Sequence, residues 1–370
     1  MDKQAEVLII GGGIVGCAIA YFLRKARVEV SVFERDEIGG HASRAAAGLL
    51  APLGPLSGPG PLAELVLAGF ALLPDLLKEL EELSGLDIGF VRCGALRVVR
   101  NPRRVAHLHK RLHNWLPLGL ELTWLDGEEA RHTEPHLAGD IRAAIHAPEE
   151  AQLEAPRLVQ AFALAAQRLG ARLYPQREVV ELLRSRSRIT GIRTRDGEIV
   201  PCAQLVLASG AWTSTWSEVL QTTLPISPLH GQLLTMPQLP IPLRHMIFGE
   251  GIYLAPRARS IIVGATREEQ GFEIGVTAEG LASLKAAAAR LVPALAGSPV
   301  STARAGLRPK TADSRPIFAH LPRWENVLLA GGHNSIGLIL SGITGREVAH
   351  MLITGQTPPL LQAFSLARFP

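Results

Sequence analysis

The chain has 370 residues, of which 47% are hydrophobic and 19% are charged, a composition that excludes an intrinsically disordered protein. The length suggests two domains. The 38 basic and 34 acidic residues leave a net charge of only +4, scattered along the chain, so nucleic acid is a poor partner.

The three cysteines, Cys17, Cys93 and Cys202, lie too far apart for a disulfide framework or a metal cluster. We expect them to be small buried apolar residues in a reducing compartment. Residues 5–23 are almost uncharged, but consecutive glycines interrupt them, and no basic flank or small-residue cleavage site follows. We therefore expect a soluble cytoplasmic protein without a membrane segment.

The N-terminal pattern predicts a strand at residues 7–10, a helix at 14–24 and a second strand at 28–33. This order is a βαβ unit. A loop of small residues follows at 42–52, then a Pro/Gly-rich stretch at 52–61 and an amphipathic helix at 62–83. The loop is long enough to contact a ligand.

The middle of the chain does not continue this alternation. Short strands are expected at 94–99 and 122–125, with a basic helix at 102–115 between them. A helix at 155–170 and strands at 178–183, 189–194, 198–201 and 204–208 indicate a return to the first domain. The turn Arg195-Asp196-Gly197 predicts a hairpin.

The C-terminal part is β-rich with many prolines at 224–266. A helix is expected at 277–291, a strand at 327–330 and a final helix at 340–353. The simplest architecture is two interleaved domains, each assembled from separate stretches of chain.

The first strand leads into the pattern G-x-G-x-x-G, formed by Gly11, Gly13 and Gly16 at the start of a helix. These glycines permit a tight turn, a close approach of the backbone to a pyrophosphate and close helix packing. Glu34 ends the second strand, where its carboxylate can accept hydrogen bonds from an adenosine ribose. An acid there argues against a ribose 2′-phosphate and leaves NAD or FAD. The cofactor contacts expected in this unit are Gly11, Gly13, Ile14, Val15, Gly16, Glu34 and Arg35.

The loop SRAAAGLLAP at residues 43–52 resembles the flavin-contacting loop of the glycine oxidase and D-amino-acid oxidase family, which includes the glycine oxidases of thiamine biosynthesis. The resemblance continues in the family's order over nearly the whole chain. The matching segments are ASGAW (208–212), YLAPR (253–257), VGAT (263–266), AGLRP (305–309) and GGH (331–333).

The resemblance implies an α/β FAD-binding, Rossmann-like domain interleaved with an α+β substrate domain built on an antiparallel sheet. The expected FAD-binding domain comprises residues 1–85, 146–223 and 302–370, and the substrate domain comprises 86–145 and 224–301. FAD is expected to be noncovalent, because residues 308–315 contain no Cys or His.

The resemblance also implies where FAD lies. The implied contacts are Ser43, Ala46, Ala47, Gly48 and Leu49 in the loop, Val179 at the adenine end, Gly210 and Ala211 beside the diphosphate, Trp212 in the same segment, and His333, Asn334, Ser335, Ile336, Gly337 and Leu338 near the pyrimidine edge. A glycine-rich turn leading into a helix N-terminus would stabilise negative charge on that edge.

On the substrate side, the resemblance makes Arg308 the guanidinium that binds the substrate carboxylate through two parallel hydrogen bonds, next to the flavin, with help from the Tyr253 hydroxyl. Ser335 is the third expected substrate-side residue, and it stands where the family usually has an arginine. A serine there can still form a hydrogen bond with the substrate amine or a water, but the exchange leaves the identity of the substrate open. Arg267 either supplies the missing charge or is a solvated loop residue. His333 receives no proton-transfer role.

The implied reaction is oxidation of glycine or another small D- or N-methyl amino acid by FAD, with oxygen as acceptor and hydrogen peroxide as product. A dehydrogenase with another acceptor, a flavin-binding protein without turnover and a pyridine-nucleotide dehydrogenase remain alternatives. The sequence shows no nucleophilic triad and no metal-ligand cluster, and it leaves a homo-oligomer open.

Overall fold

The computed structural model describes residues 5–369. Within them, the helices and strands follow one another as β1 (Ala5–Ile10), α1 (Ile14–Lys25), β2 (Val30–Phe33), α2 (Ala42–Ala45), β3 (Leu49–Leu50), α3 (Pro61–Ser84), β4 (Ala95–Val99), α4 (Val105–Trp115), β5 (Thr123–Asp126), α5 (Gly127–Thr133), β6 (Ala143–Ala147), β7 (Ala151–Gln152), α6 (Ala155–Arg168), β8 (Arg172–Tyr174), β9 (Val179–Ser185), β10 (Arg188–Thr194), β11 (Ile199–Leu207), α7 (Ser217–Leu220), β12 (Ser227–Pro237), β13 (Met246–Gly249), β14 (Ile252–Pro256), β15 (Ser260–Gly264), α8 (Ala278–Leu291), β16 (Thr302–Lys310), β17 (Ile317–His320), β18 (Val327–Gly331) and α9 (Gly337–Thr354).

The first sheet has the strand order β17-β18-β11-β1-β2-β8, with the β9–β10 hairpin attached to β11. Strand β1 pairs in parallel with β2 and β11, which confirms the predicted βαβ unit. Because β11 pairs with β10 along its first half and with β1 along its second half, it is one continuous strand. The expected pair of strands at 198–201 and 204–208 is therefore wrong.

The second sheet has the order β16-β12-β15-β14-β13-β4-β6-β5. Most of its pairs are antiparallel, but β4 and β13 pair in parallel, so the sheet is mixed rather than the expected antiparallel one. The short helix α2 and the strand β3, which pairs with β7, occupy part of the expected loop at 42–52.

Sheet membership moves two of the expected domain boundaries. Strand β16 pairs with β12 along its whole length, so residues 302–310 belong with the second sheet rather than with the FAD-binding segment. Strand β6 pairs with β4 and β5, so the boundary expected at residue 146 falls inside a strand of the second sheet. The division into two interleaved domains otherwise stays a prediction.

Helices α1, α3, α6 and α9 share one large apolar core with the first sheet. Close packing of α9 on α1 depends on Gly345, where an added Cβ would lie 2.7 Å from the carbonyl oxygen of Ala18. A second apolar cluster lies between α8 and the second sheet. Cys17 and Cys202 are buried as expected, whereas Cys93 is partly exposed. None of the helices in the described residues is long and apolar enough to cross a bilayer.

Candidate active site

A cavity of about 1400 Å³ lies where the carboxyl ends of strands in the first sheet face the second sheet. Open α/β sheets bind ligands at this edge. Nearly all of the predicted site residues line it: Gly11, Gly13, Ile14, Val15, Glu34, Arg35, Ser43, Ala46, Ala47, Gly48, Leu49, Val179, Gly210, Trp212, Tyr253, Arg308, His333, Asn334, Ser335, Ile336, Gly337 and Leu338. Gly16 does not, because it packs α1 against the turn, where an added Cβ would overlap the carbonyl oxygen of Gly11.

The glycine turn leaves an open cradle at the N-terminus of α1. Gly11 has φ +112°, and a Cβ there would overlap the carbonyl oxygen of Ala208. At Gly13, by contrast, an added Cβ would meet only the Ser43 Oγ, at 3.6 Å, and would otherwise enter the cavity. The Ser43 Oγ accepts a hydrogen bond from the backbone N–H of Ile14 at 3.0 Å. The space and the helix dipole suit an anionic diphosphate.

The Glu34 carboxylate is held in place by the backbone. Its Oε2 accepts from the N–H of Gly12 at 2.8 Å, and its Oε1 accepts from the N–H of Asp36 at 3.0 Å. Desolvation raises the pKa of the Asp36 carboxyl, but hydrogen bonds from His41 and Arg35 outweigh it and lower the pKa. Ligand atoms of Glu34, Asp36 and His41 lie within 4.8 Å of one another, but these hydrogen bonds already engage both carboxylates, so the cluster needs no ion.

Trp212 lines the cavity near Arg35 and His41. The Arg35 guanidinium lies 3.9 Å from the centre of the Trp212 ring, and the His41 ring lies 4.6 Å from it. A guanidinium over an aromatic face is attracted by the ring quadrupole. The contact between Arg35 and Trp212 therefore orders these two side chains beside Glu34.

Two arginines of the second sheet, Arg304 and Arg257, hold the loop that contains Ala46 and Ala47, and neither was predicted as a site residue. Arg304 donates from Nε to the carbonyl oxygen of Ala45 at 3.4 Å and from Nη2 to that of Ala46 at 3.3 Å. Arg257 donates from Nη2 to the carbonyl oxygen of Ala47. Burial lowers the pKa of both guanidinium groups. Arg257 is the last residue of the YLAPR segment, which carries part of the family resemblance, so the sequence did contain a signal for this arginine.

Arg308 and Tyr253 converge because two glycines clear the face of the second sheet. The Arg308 guanidinium lies over Gly231, and the Tyr253 hydroxyl lies over Gly264, where any Cβ would overlap them. The Arg308 Nη1 donates to the carbonyl oxygen of Thr266 at 3.2 Å. Among the described residues Arg308 forms no ion pair with a carboxylate, so its charge is left for a ligand in the cavity.

Burial shapes the electrostatics of this pair. It raises the pKa of the Tyr253 hydroxyl, although the charge of Arg308 opposes the shift. It also lowers the pKa of the Arg308 guanidinium. Tyr253 is therefore a neutral hydroxyl at neutral pH, able to donate a hydrogen bond, next to a partly desolvated cation.

Arg267 lines the same cavity and is exposed. The two acids that follow it have other partners: Glu268 lies 2.7 Å from the Nδ1 of His230, and Glu269 lies 2.6 Å from the Nζ of Lys310. The loop acids therefore do not neutralise Arg267. This leaves Arg267 as a second cation beside Arg308.

The C-terminal motif meets the cavity at the N-terminus of α9. His333 is buried, its Nε2 lies 3.0 Å from the Thr344 Oγ1, and burial lowers its pKa to about 4. The imidazole of His333 is therefore neutral at neutral pH. Ser335 is exposed and lines the cavity.

Comparison with known proteins identifies the family that the chain matches. The sequence model of a family described as FAD dependent oxidoreductase matches residues 6–351. The chain is 34% identical to the glycine oxidase of Geobacillus kaustophilus, covering 100% of this chain and 98% of that protein. It is also 34% identical to the bifunctional protein ThiO/ThiG of a Synechocystis species, covering 100% of this chain but 55% of that protein. The crystal structure of the Geobacillus kaustophilus glycine oxidase superimposes with a TM-score of 0.93 over 99% of both chains, at 33% identity.

Proposed function

The chain belongs to the FAD dependent oxidoreductase family, and from that premise we propose that it oxidises the C–N bond of glycine or another small D- or N-methyl amino acid. The observation that carries the proposal is the convergence of Arg308 and Tyr253 on the cavity that also contains the Gly13 cradle. One cavity thus offers a carboxylate clamp and a diphosphate cradle.

FAD fits the described residues. The open space at Gly13, the amide groups at the start of α1 and the oriented carboxylate of Glu34 suit a diphosphate and a ribose. The loop at 45–49 and the segment 333–338 line the remainder, where the isoalloxazine would lie. Bound FAD supplies the two-electron oxidation by accepting a hydride from the substrate.

The protein's own task is to bind and orient. Arg308 fixes the substrate carboxylate in two parallel hydrogen bonds, and the Tyr253 hydroxyl donates to the same group. With the carboxylate fixed, the Cα–H of the neutral amine is held in one direction. Loss of the hydride and of an N–H proton leaves an imine, and water then gives an oxo acid and ammonia or an amine. No strong acid or base is needed for these steps.

We propose oxygen as the electron acceptor, with hydrogen peroxide as its product, and a role in thiamine biosynthesis. The test is an anaerobic screen of glycine, sarcosine, D-alanine and D-proline against the flavin absorbance of the purified protein. We expect bleaching by at least one of them and peroxide on admission of air. Bleaching without peroxide would indicate a dehydrogenase, and no bleaching by any amine would indicate a flavin-binding protein without turnover.

Attachment of the cofactor is tested separately. We expect a yellow protein that releases FAD on acid denaturation, since residues 308–315 contain no Cys or His. Flavin that stays with the precipitated chain would contradict noncovalent binding.

A further inference from the structure

One wall of the cavity is cationic, and the proposed reaction does not use it. This cationic wall consists of Arg97 on β4, Arg104 just before α4, and Arg111 on α4, all of which line the cavity. Arg104 and Arg111 form no ion pair with any acid in the part of the chain that the structure describes. Burial and the nearby charge of Arg97 lower the pKa of Arg111. Cations crowded against a cavity favour an anion between them.

Arg97 carries the strongest sign of a missing ligand. Its side chain is only 6% exposed, and its Nη2 lies 2.7 Å from the Oε1 of Glu150. Its Nη1 is buried and has no hydrogen-bond partner. A buried donor left without a partner costs free energy, so such groups are usually satisfied by a ligand or a water.

Trp115 holds the guanidinium groups of Arg97 and Arg111 in place. Its ring centre lies 5.4 Å from the Arg97 guanidinium and 4.3 Å from that of Arg111. Its Nε1 donates to the carbonyl oxygen of Leu56 at 2.8 Å, and the side chain is fully buried. The guanidinium groups of Arg97 and Arg111 are therefore ordered before any ligand arrives, which reduces the entropy cost of binding.

Arg97 of the cationic wall and the carboxylate clamp lie on one face of the second sheet. Arg97 lies opposite Phe248, and Phe248 lies opposite Tyr253, whose hydroxyl reaches over Gly264 of β15. The Arg97 guanidinium reaches along this face to the Phe248 ring, whose centre lies 4.8 Å from the guanidinium carbon and 6.3 Å from the centre of the Tyr253 ring. Little more than one side chain therefore separates Arg97 from Tyr253, a distance that a small amino acid with two carboxylates can bridge.

We propose that the cationic wall of Arg97, Arg104 and Arg111 binds a second carboxylate of the substrate, so that small dicarboxylic amino acids are the preferred substrate class. The inference rests on the proposed function. The second carboxylate is carried either on the nitrogen substituent, as in iminodiacetate, or on the Cα side chain, as in D-aspartate.

Binding is tested on the FAD-loaded protein with two ethers that contain no amine, diglycolate with two carboxylates and methoxyacetate with one. We expect diglycolate to bind at least about 10-fold more tightly, as one charge-assisted contact allows. Arg111→Gln should abolish most of this ratio, and Arg104→Gln serves as a second variant. Lys110→Gln removes the same charge from an exposed neighbour outside the cavity and should preserve the ratio. Equal binding of the two ethers, or equal ratios in Arg111→Gln and Lys110→Gln, would overturn the inference.

Turnover separates this inference from the proposed function. We expect kcat/KM for iminodiacetate or D-aspartate to exceed that for sarcosine or D-alanine, respectively, by at least about 10-fold, and the pair with the larger ratio identifies the position of the second carboxylate. Flavin reduction by sarcosine, with equal binding of the two ethers, would overturn the second site alone. Tight diglycolate binding with no amine oxidised would overturn the proposed function alone.

Discussion

The Oγ of Ser43 accepts a hydrogen bond from the backbone N–H of Ile14 at 3.0 Å, so a residue of the loop caps the helix that follows the glycine turn. The Ser43 hydroxyl proton remains available to the cavity, beside the open position of Gly13. A hydroxyl that accepts from the helix and donates to an anion links the loop to the proposed diphosphate site.

Ser43→Ala is therefore expected to weaken FAD binding by about 5- to 10-fold, since one neutral hydrogen bond contributes about 1 kcal/mol. The measurement is a fluorescence titration of the apoprotein with FAD. Ser84→Ala is the matched control, because the Ser84 Oγ accepts from the N–H of Leu86 at 3.2 Å and does not line the cavity. Equal FAD affinities of the two variants would contradict the role of Ser43.

Gly13→Ala should fold normally and lose FAD, because the added Cβ meets nothing but the Ser43 Oγ inside the protein yet enters the diphosphate space. Gly16→Ala should instead destabilise the fold by about 2 kcal/mol or more, because its Cβ would overlap the carbonyl oxygen of Gly11. Thermal unfolding of the apoproteins and FAD titration separate the two effects. A Gly13→Ala variant that retains FAD at wild-type affinity would exclude this cradle as the diphosphate site.

Arg308→Lys should retain FAD but lose most of its turnover, because lysine keeps the charge without the planar pair of donors. Loss of a charge-assisted hydrogen bond is worth about 1.5–3 kcal/mol, so kcat/KM should fall by roughly 10- to 150-fold. Tyr253→Phe should cost less, since it removes one neutral donor. Steady-state kinetics on the best substrate provides the check. If Arg308→Lys behaves like the wild type while Arg267→Ala abolishes activity, the carboxylate clamp is Arg267.

The buried ring of His333 predicts a loss of stability in acid. Its folded-state pKa of about 4 lies below the ordinary value of 6.5, so the unfolded chain takes up a proton at a pH where the folded chain does not. This penalty is absent above pH 6.5 and grows as the pH falls toward 4, to roughly 3 kcal/mol at most. Denaturation midpoints at pH 7.5 and pH 5 should converge more closely in His333→Gln than in the wild type. An unchanged pH dependence in that variant would rule out His333 as the cause.

Arg304→Gln should loosen the loop at 45–47, because it removes the donors to the carbonyl oxygens of Ala45 and Ala46. We expect faster amide hydrogen exchange in that loop and weaker retention of FAD. Arg290→Gln, which removes a surface ion pair with Glu250, is the control. Exchange rates in the loop that match those of the control would show that Arg304 does not hold it.

Local patterns were sufficient for the first part of the fold, and the family resemblance supplied most of the predicted site residues that line the cavity. The glycine turn and Glu34 lie close along the chain, and the turn requires glycine at specific positions. The residue types alone therefore predicted the βαβ unit correctly. Long helices such as α3 and α9 show their apolar faces within a few turns. Short strands were harder, and β6 and β8 were missed because their partners are distant in the sequence.

The sequence by itself therefore determined the family resemblance, the cofactor class and the residues Arg308 and Tyr253 as a candidate clamp. Only the tertiary structure decided that Gly231 and Gly264 let these side chains converge, that Arg304 and Arg257 hold the loop, and that Arg97 has an unpaired donor in the same cavity. The physical reason is that these contacts join strands far apart along the chain, so burial, register and the partner of each charge are set only when the second sheet assembles against the first.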